Sequence, residues 1–229
     1  MNDNIVTVGL ASTAFVLTHL GLSSAPVRRT ITRRLGEQGF LSLYSLVALI
    51  LLGWMIIAYV HASHAYYLWF PGPGLRHLPL LLMPLALIFV VAGVTTRNPS
   101  AVGTENSIDR PDVVKGILRV TRHPVQWSIL LWAGAHILAN GDLASLLFFG
   151  GFFLLAGLGS FHLDRRMETT LGERWRQFTA VTSHVPFLAI LAGRQRLVIS
   201  ELRYQILGGI ALFVLLLWLH PYLFGIGAY

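Results

Sequence analysis

The chain has 229 residues, of which 55% are hydrophobic and only 12% are Asp, Glu, Lys or Arg. This composition excludes a soluble globular domain and a disordered chain. The absence of cysteine excludes a disulfide scaffold, thiolate sites for zinc or iron–sulfur clusters, and covalently attached c-type haem. A net charge of +7 would favour nucleic acid as the partner of a polar protein. In so apolar a chain it instead indicates the basic loops of a membrane protein, with the lipid bilayer as partner and no nucleic acid.

Six apolar segments are long enough, or nearly so, to cross a bilayer core of roughly 30 Å. Backbone amides in hydrocarbon must be paired within their own segment, so each segment is predicted to be a helix. The sequence therefore predicts an all-α polytopic membrane helix bundle of about six transmembrane helices, the fourth being the shortest. The segments run approximately over residues 5–22, 40–60, 78–94, 125–138, 143–163 and 206–224.

The basic residues are distributed asymmetrically. Sixteen of the 17 fall in the connections that follow the first, third and fifth segments, and the exception is Arg76. The positive-inside rule therefore places these three connections in the cytoplasm and both termini outside.

Two connections contain features of their own. Between residues 164 and 180, Met167, Leu171, Trp175 and Phe178 recur at helical spacing among charged residues. This pattern predicts an amphipathic helix on the inner surface that continues from the fifth segment. On the outer side, Asp142 is positioned to cap the start of the fifth helix.

Among the histidines of the apolar segments two stand out, because an imidazole at depth in hydrocarbon needs a partner. His19 is in the inner half of the first segment, and His136 is near the middle of the fourth. His19 shares a helix face with Ser12, Phe15 and Ser23, and His136 shares one with Trp132 and Asn140. Such neighbours could orient the rings as metal ligands, and facing histidines hold haem iron inside helix bundles.

A simpler interpretation stays open, because a buried neutral histidine often only hydrogen-bonds to the next helix. The depths also differ. With a rise of about 1.5 Å per residue, His136 lies roughly 17 Å from the inner boundary and His19 roughly 5 to 9 Å. Binding one iron would then require a tilted helix or a slanted ring plane. His162 and His184 are predicted to be interfacial.

Arg122, His123 and Pro124 open the fourth segment from the cytoplasmic side. Proline suits a first helical turn, and a basic pair suits the inner headgroup boundary. An arginine beside a fixed histidine could also hold a carboxylate or a phosphate.

These motifs resemble those of the NnrU family of bacterial membrane proteins, which is related to plant and cyanobacterial 15-cis-zeta-carotene isomerase. The resemblance is strongest over residues 10–195, and the chain is identified as a single NnrU-like domain over 1–229 with an extra C-terminal span over 205–224. The stretches that carry it are residues 18–24, 98–103, 121–166, 175–178 and 186–187.

The resemblance implies a multi-pass protein of the bacterial inner membrane. In the isomerase branch it implies haem b with two histidine ligands, which fall on His19 and His136, and a redox-dependent isomerisation of a cis double bond in a polyene. Arg122, His123, Trp132 and Asn140 belong to the same predicted cofactor site. For bacterial members it implies a link to denitrification and nitric oxide, without a settled reaction.

Two alternatives remain open. The Arg-His-Pro entry also resembles the isoprenylcysteine carboxyl methyltransferase and sterol reductase group. There the matching residues, here Arg122, His123, Glu168 and Glu173, would hold S-adenosylmethionine or NADPH at the cytoplasmic face. The other alternative is a non-catalytic assembly factor for denitrification enzymes, so the sequence leaves open whether the protein is an enzyme.

Overall fold

The computed structural model describes residues 3–101 and 103–225. Val102, in the 98–103 motif, and the residues at both ends lie outside the described part. Within that part the ordered structure is helical, apart from turns and one isolated bridge. The helices are α1 (Asp3–Ser23), α2 (Ala25–Val60), α3 (Pro73–Arg76), α4 (Leu78–Thr95), α5 (Ile117–Val120), α6 (Pro124–Asn140), α7 (Leu143–Leu171), α8 (Glu173–Val181), α9 (Leu188–Leu191) and α10 (Arg203–Phe224).

The predicted membrane helix bundle is confirmed as an all-α multi-pass architecture. Among the described residues, five helical stretches are long and apolar enough to cross a membrane. They include α1, α2, α4, α7 and α10. The predicted fourth span forms α6, which has 17 residues and is therefore about 26 Å long.

The connection after the first span is helical rather than a loop. Ala25–Val60 is assigned as one helix, but Gly36 has φ 73° and ψ 173° inside it and breaks its direction. A side chain is strained at such a positive φ, and glycine is not. Arg28 on one side of the break forms an ion pair with Glu37 on the other.

The chain divides into two compact units, Met1–Arg76 with Ala133–His162, and His77–Trp132 with Leu163–Tyr229. The prediction of one domain over 1–229 stays a prediction.

In the first unit, α1 and α7 run parallel in close contact. Ser12 Oγ donates to the carbonyl oxygen of Leu147 at 2.6 Å, and His162 Nε2 lies 3.1 Å from the carbonyl oxygen of Ser23. A residue of α1 thus faces the residue of α7 roughly 138 positions later. The approach is close because a Cβ on Gly151 would lie 2.3 Å from Ser12 Oγ.

The start of α7 is fixed by the predicted cap. Asp142 Oδ1 accepts a hydrogen bond from the Ser145 amide at 2.9 Å and lies 3.0 Å from His64 Nδ1. The extended segment before α3 joins the same corner, since Tyr67 forms a bridge with Asp142. This arrangement confirms Asp142 as the N-cap.

In the second unit, the predicted amphipathic segment covers a hydrophobic core. Met167, Trp175 and Phe178 are buried together with Phe89, Ile117, Leu118 and Val120. The segment is two helices rather than one, because α7 ends at Leu171 and Gly172 adopts φ 55° before α8 begins. The apolar face is as predicted, and the glycine break between the helices is not.

Candidate functional site

The second unit brings together four charged or titratable side chains, which we call the inner cluster: Arg122, His123, Asp164 and His184. Arg122 and His123 immediately precede α6, Asp164 is near the end of α7, and His184 follows α8. The backbone around the cluster is fixed by hydrogen bonds. The carbonyl oxygen of His184 accepts from Thr121 Oγ1 at 2.7 Å and from Trp127 Nε1 at 2.8 Å.

The Asp164 carboxylate is the centre of this cluster. Arg122 donates through Nε to Oδ1 at 3.0 Å and through Nη2 to Oδ2 at 2.6 Å. His123 Nε2 lies 2.8 Å from Oδ1, and His184 Nδ1 lies 3.5 Å from Oδ2. An arginine fork of this kind holds a carboxylate in a fixed plane.

His123 is fully buried, and its other ring nitrogen, Nδ1, has no hydrogen-bond partner among the described residues. Burial lowers the pKa of His123, and this effect exceeds the opposing effect of the hydrogen bond to Asp164. The imidazole is therefore neutral at pH 7. Because a carboxylate can only accept, Nε2–H donates to Asp164 Oδ1, and Nδ1 carries the lone pair in this structure.

The two glutamates of the predicted cytoplasmic cofactor site have other partners. Glu168 and Glu173 both lie beside Arg176, at 3.2 Å and 3.7 Å. These side chains are more than half exposed. Among the described contacts, the four residues of the methyltransferase-type alternative therefore belong to two separate groups rather than one.

In the first unit, His19 has the hydrogen bonding of a possible metal ligand. Its Nδ1–H donates to the Phe15 carbonyl oxygen at 2.7 Å, because a carbonyl can only accept. The lone pair is therefore on Nε2, which makes no hydrogen bond with the described residues. The ring is half-buried between Phe15, at 4.1 Å between ring centroids, and Tyr44, at 5.4 Å. His61 makes the same bond, to the Ile57 carbonyl oxygen at 2.8 Å, so the pattern is not unique to His19.

His136 packs against a different part of α7. Its ring stacks on Phe149 with centroids 5.0 Å apart. Asn140 Nδ2 donates to the His136 carbonyl oxygen at 2.8 Å, and Trp132 lies one turn earlier in α6. The predicted shared face of Trp132, His136 and Asn140 is present on α6, but Asn140 contacts the backbone of His136 rather than its ring.

A row of phenylalanines lies between the two histidine rings. His19 contacts Phe15, Phe15 contacts Phe152, and His136 contacts Phe149, with Phe148 between Phe149 and Phe152. From the α1–α7 register, His19 is level with the part of α7 near Gly157, roughly eight residues beyond Phe149, which His136 contacts. At 1.5 Å per residue these two levels are about 12 Å apart along α7.

Two imidazoles on one iron each place a nitrogen about 2 Å from the metal. As placed in this structure, His19 and His136 do not fit a single haem iron. Their joint ligation of haem b stays a prediction, and it requires the rings to approach each other and the phenylalanines to move aside.

The first unit also contains an apolar groove of about 490 Å³, whose lining includes neither His19 nor His136. It runs between α1, α6 and α7, and its lining includes Gly9, Val16, Ile137, Gly150 and Gly151. Val16 lies one turn before His19, and Ile137 directly follows His136. Gly150 leaves this space open, since a Cβ there would meet nothing within 4 Å.

A family model described as NnrU protein matches residues 7–228. The chain belongs to the NnrU protein family. It is similar to the chloroplastic 15-cis-zeta-carotene isomerase of Zea mays, at 28% identity over 197 residues, which are 84% of this chain and 52% of that protein. It is also 28% identical to the chloroplastic 15-cis-zeta-carotene isomerase of Arabidopsis thaliana over 187 residues, which are 79% of this chain and 49% of the relative. The chain therefore spans about half the length of these curated relatives. No solved structure matches it.

Proposed function

We propose that this NnrU family protein is a membrane-embedded cis–trans isomerase of a long polyene lipid. The observation that carries the proposal is the similarity to two plant 15-cis-zeta-carotene isomerases across about four-fifths of this chain. The groove between α1, α6 and α7 supports it. A polyene is an apolar rod that dissolves in the hydrocarbon core, and two of the three helices around this apolar groove, α1 and α7, are long enough to span a membrane.

The first test is conversion of substrate by the full chain in membranes. The protein is expressed in a bacterial host that accumulates 15-cis-zeta-carotene, and extracted pigments are separated by chromatography. We expect loss of the central cis bond relative to a host with an empty vector. Unchanged pigment in membranes that contain the folded protein would reject this substrate.

A groove-filling variant tests where the substrate binds. Gly150→Leu adds a side chain to the groove, whereas Gly159→Leu adds one to the same helix outside the lining, and neither Cβ meets anything within 4 Å. We expect Gly150→Leu to lower conversion at least about tenfold, because pocket shape alone discriminates by such factors. Gly159→Leu should retain activity. Equal conversion by the two variants would exclude the groove as the binding place.

We further propose haem b as the cofactor, with His19 and His136 as its candidate ligands and Asn140 beside His136. That Arg122, His123 and Trp132 belong to the same cofactor site stays a prediction from the sequence. A haem would supply redox chemistry at its iron. The Nδ1 hydrogen bond of His19, which presents Nε2 as a ligand atom, supports this part. The spacing of the two rings speaks against simultaneous ligation without a rearrangement.

The haem proposal is tested by the absorption spectrum of the purified protein. A Soret band is expected, and it should be lost in His19→Ala and His136→Ala but kept in His61→Ala, whose ring makes the same backbone bond. A shift of that band on adding nitric oxide would favour the nitric oxide-responsive role that the family resemblance implies. A colourless preparation from haem-supplemented cells would reject haem b and leave the isomerase assay unaffected.

A further inference from the structure

The inner cluster has the composition of a first-row metal site. Two imidazoles and one carboxylate, from His123, His184 and Asp164, present ligand atoms that all lie within 4.8 Å of one another. They come from three separate chain segments, the loop before α6, the end of α7 and the loop after α8. We propose that these three side chains bind one divalent transition-metal ion, of the Zn²⁺ or Fe²⁺ type, at a site separate from the predicted haem ligands.

The spacing of the ligand atoms supports this proposal. An ion with bonds of about 2.1 Å at angles of 90° to 110° holds neighbouring donor atoms about 3.0 to 3.4 Å apart. His123 Nε2 lies 2.8 Å from Asp164 Oδ1, and His184 Nδ1 lies 3.5 Å from Oδ2, so the two distances lie on either side of that range but run to different oxygens. Binding one ion requires these side chains to rotate until their donor atoms face a common point.

The charge balance of the cluster also supports it. The Asp164 carboxylate already has a cationic partner in Arg122, which donates to both of its oxygens. The charge of the carboxylate is therefore already neutralised by Arg122, and neither histidine is needed for that purpose. Metal binding through Nε2 of His123 requires the ring proton to move from Nε2, which donates to Asp164, to Nδ1, which has no partner among the described residues.

The same arrangement determines which ion is expected. Arg122 reduces the attraction of the carboxylate for any cation, so the two imidazoles must supply most of the affinity. Imidazole suits zinc and iron, whereas magnesium and calcium prefer sets of oxygen ligands. Two histidines and one carboxylate are also the ligand set in which non-haem iron keeps open coordination positions.

The metal-binding test uses Co²⁺ as a spectroscopic probe. The full-length protein in detergent is treated with a chelator, separated from it and titrated with Co²⁺. We expect visible d–d bands that saturate at one ion per chain, with affinity lowered at least about tenfold in His184→Gln and in Asp164→Asn. His64→Gln is the matched control, because His64 pairs with Asp142 in a histidine–carboxylate contact outside the inner cluster.

Two results would overturn the proposal: no d–d bands up to millimolar Co²⁺, or binding that is the same in the wild type and both cluster variants. If the variants do not fold, X-ray absorption of the Zn²⁺-loaded wild type decides instead. It should show two imidazoles in the coordination shell, and a shell with fewer imidazoles would exclude this site. The haem content of the same samples is measured as well. Loss of Co²⁺ binding can then be distinguished from failure of the isomerase proposal and its haem.

Discussion

Arg122 and Asp164 are 42 residues apart in sequence and form a two-point contact between the start of α6 and the end of α7. The guanidinium reaches both carboxylate oxygens, and the two side chains are only 12% and 19% exposed. Burial of this extent makes the pair costly to break, since an unpaired charge remains.

We expect Arg122→Lys to destabilise the protein by about 1–2 kcal/mol, because an ammonium cannot reproduce the two-point geometry. The measurement is unfolding of the purified protein in mixed detergent, followed by helical circular dichroism. Arg176→Lys is the control, since Arg176 pairs with glutamates on an exposed surface and should change stability by less than about 0.5 kcal/mol. If both variants lose the same free energy of unfolding, the two-point contact of Arg122 with Asp164 does not stabilise the protein more than an exposed ion pair does.

Two adjacent glycines in α10 differ in their surroundings. A Cβ on Gly209 would lie 2.6 Å from the Ile88 Cα, which is backbone and cannot yield, whereas one on Gly208 would lie 3.4 Å from a Val91 methyl. We expect Gly209→Ala to cost about 1–3 kcal/mol of stability through forced separation of α4 and α10. Gly208→Ala should be nearly neutral, as judged by the thermal midpoint in detergent. Equal midpoints for the two variants would contradict the close packing.

The cap of α7 offers a graded test. Asp142→Ala removes the acceptor of the Ser145 amide, and we expect a loss of about 1–2 kcal/mol. Asp142→Asn keeps an acceptor there and should lose less, because asparagine is an equally good N-cap. If both variants lose the same free energy of unfolding, Asp142 stabilises the protein through its contact with His64 rather than through the cap.

Orientation in the membrane can be measured directly because the chain contains no cysteine. We expect Gly74→Cys, between α2 and α4, to react with an impermeant maleimide in intact cells. Thr169→Cys, near the end of α7, should react only after permeabilisation. Both positions are exposed in the structure. The reverse labelling pattern would refute the outside termini predicted from the basic residues.

Hydropathy predicted the apolar segments well, since each of the six lies within or closely matches a helix. The signal is strong because length and continuous apolarity are local properties. The boundaries on the inner side were less predictable. The arginine-rich segment after α1 was interpreted as a loop, yet Ala25–Val60 is helical around a break at Gly36. Hydropathy alone does not distinguish a charged helix from a charged loop.

The inner cluster was only partly predictable. Arg122 and His123 stood out as a pair before Pro124, but Asp164 was interpreted as part of an amphipathic surface helix and His184 as interfacial. Nothing within the sequence neighbourhood of Asp164 indicates a partner 41 residues earlier. Its position gave one indication, because the end of α7 and the start of α6 lie at the same predicted face, where a carboxylate and a basic pair attract each other.

The short length of α6 has a consequence for the surrounding lipid. Its 17 residues extend about 26 Å, whereas the hydrocarbon core is about 30 Å thick. Lipid beside a short hydrophobic helix compresses, and the deformation costs a fraction of a kcal/mol per Å of mismatch. Phospholipids with shorter acyl tails relieve that compression, so bilayer thickness itself becomes a factor in where this protein resides and how tightly its helices associate.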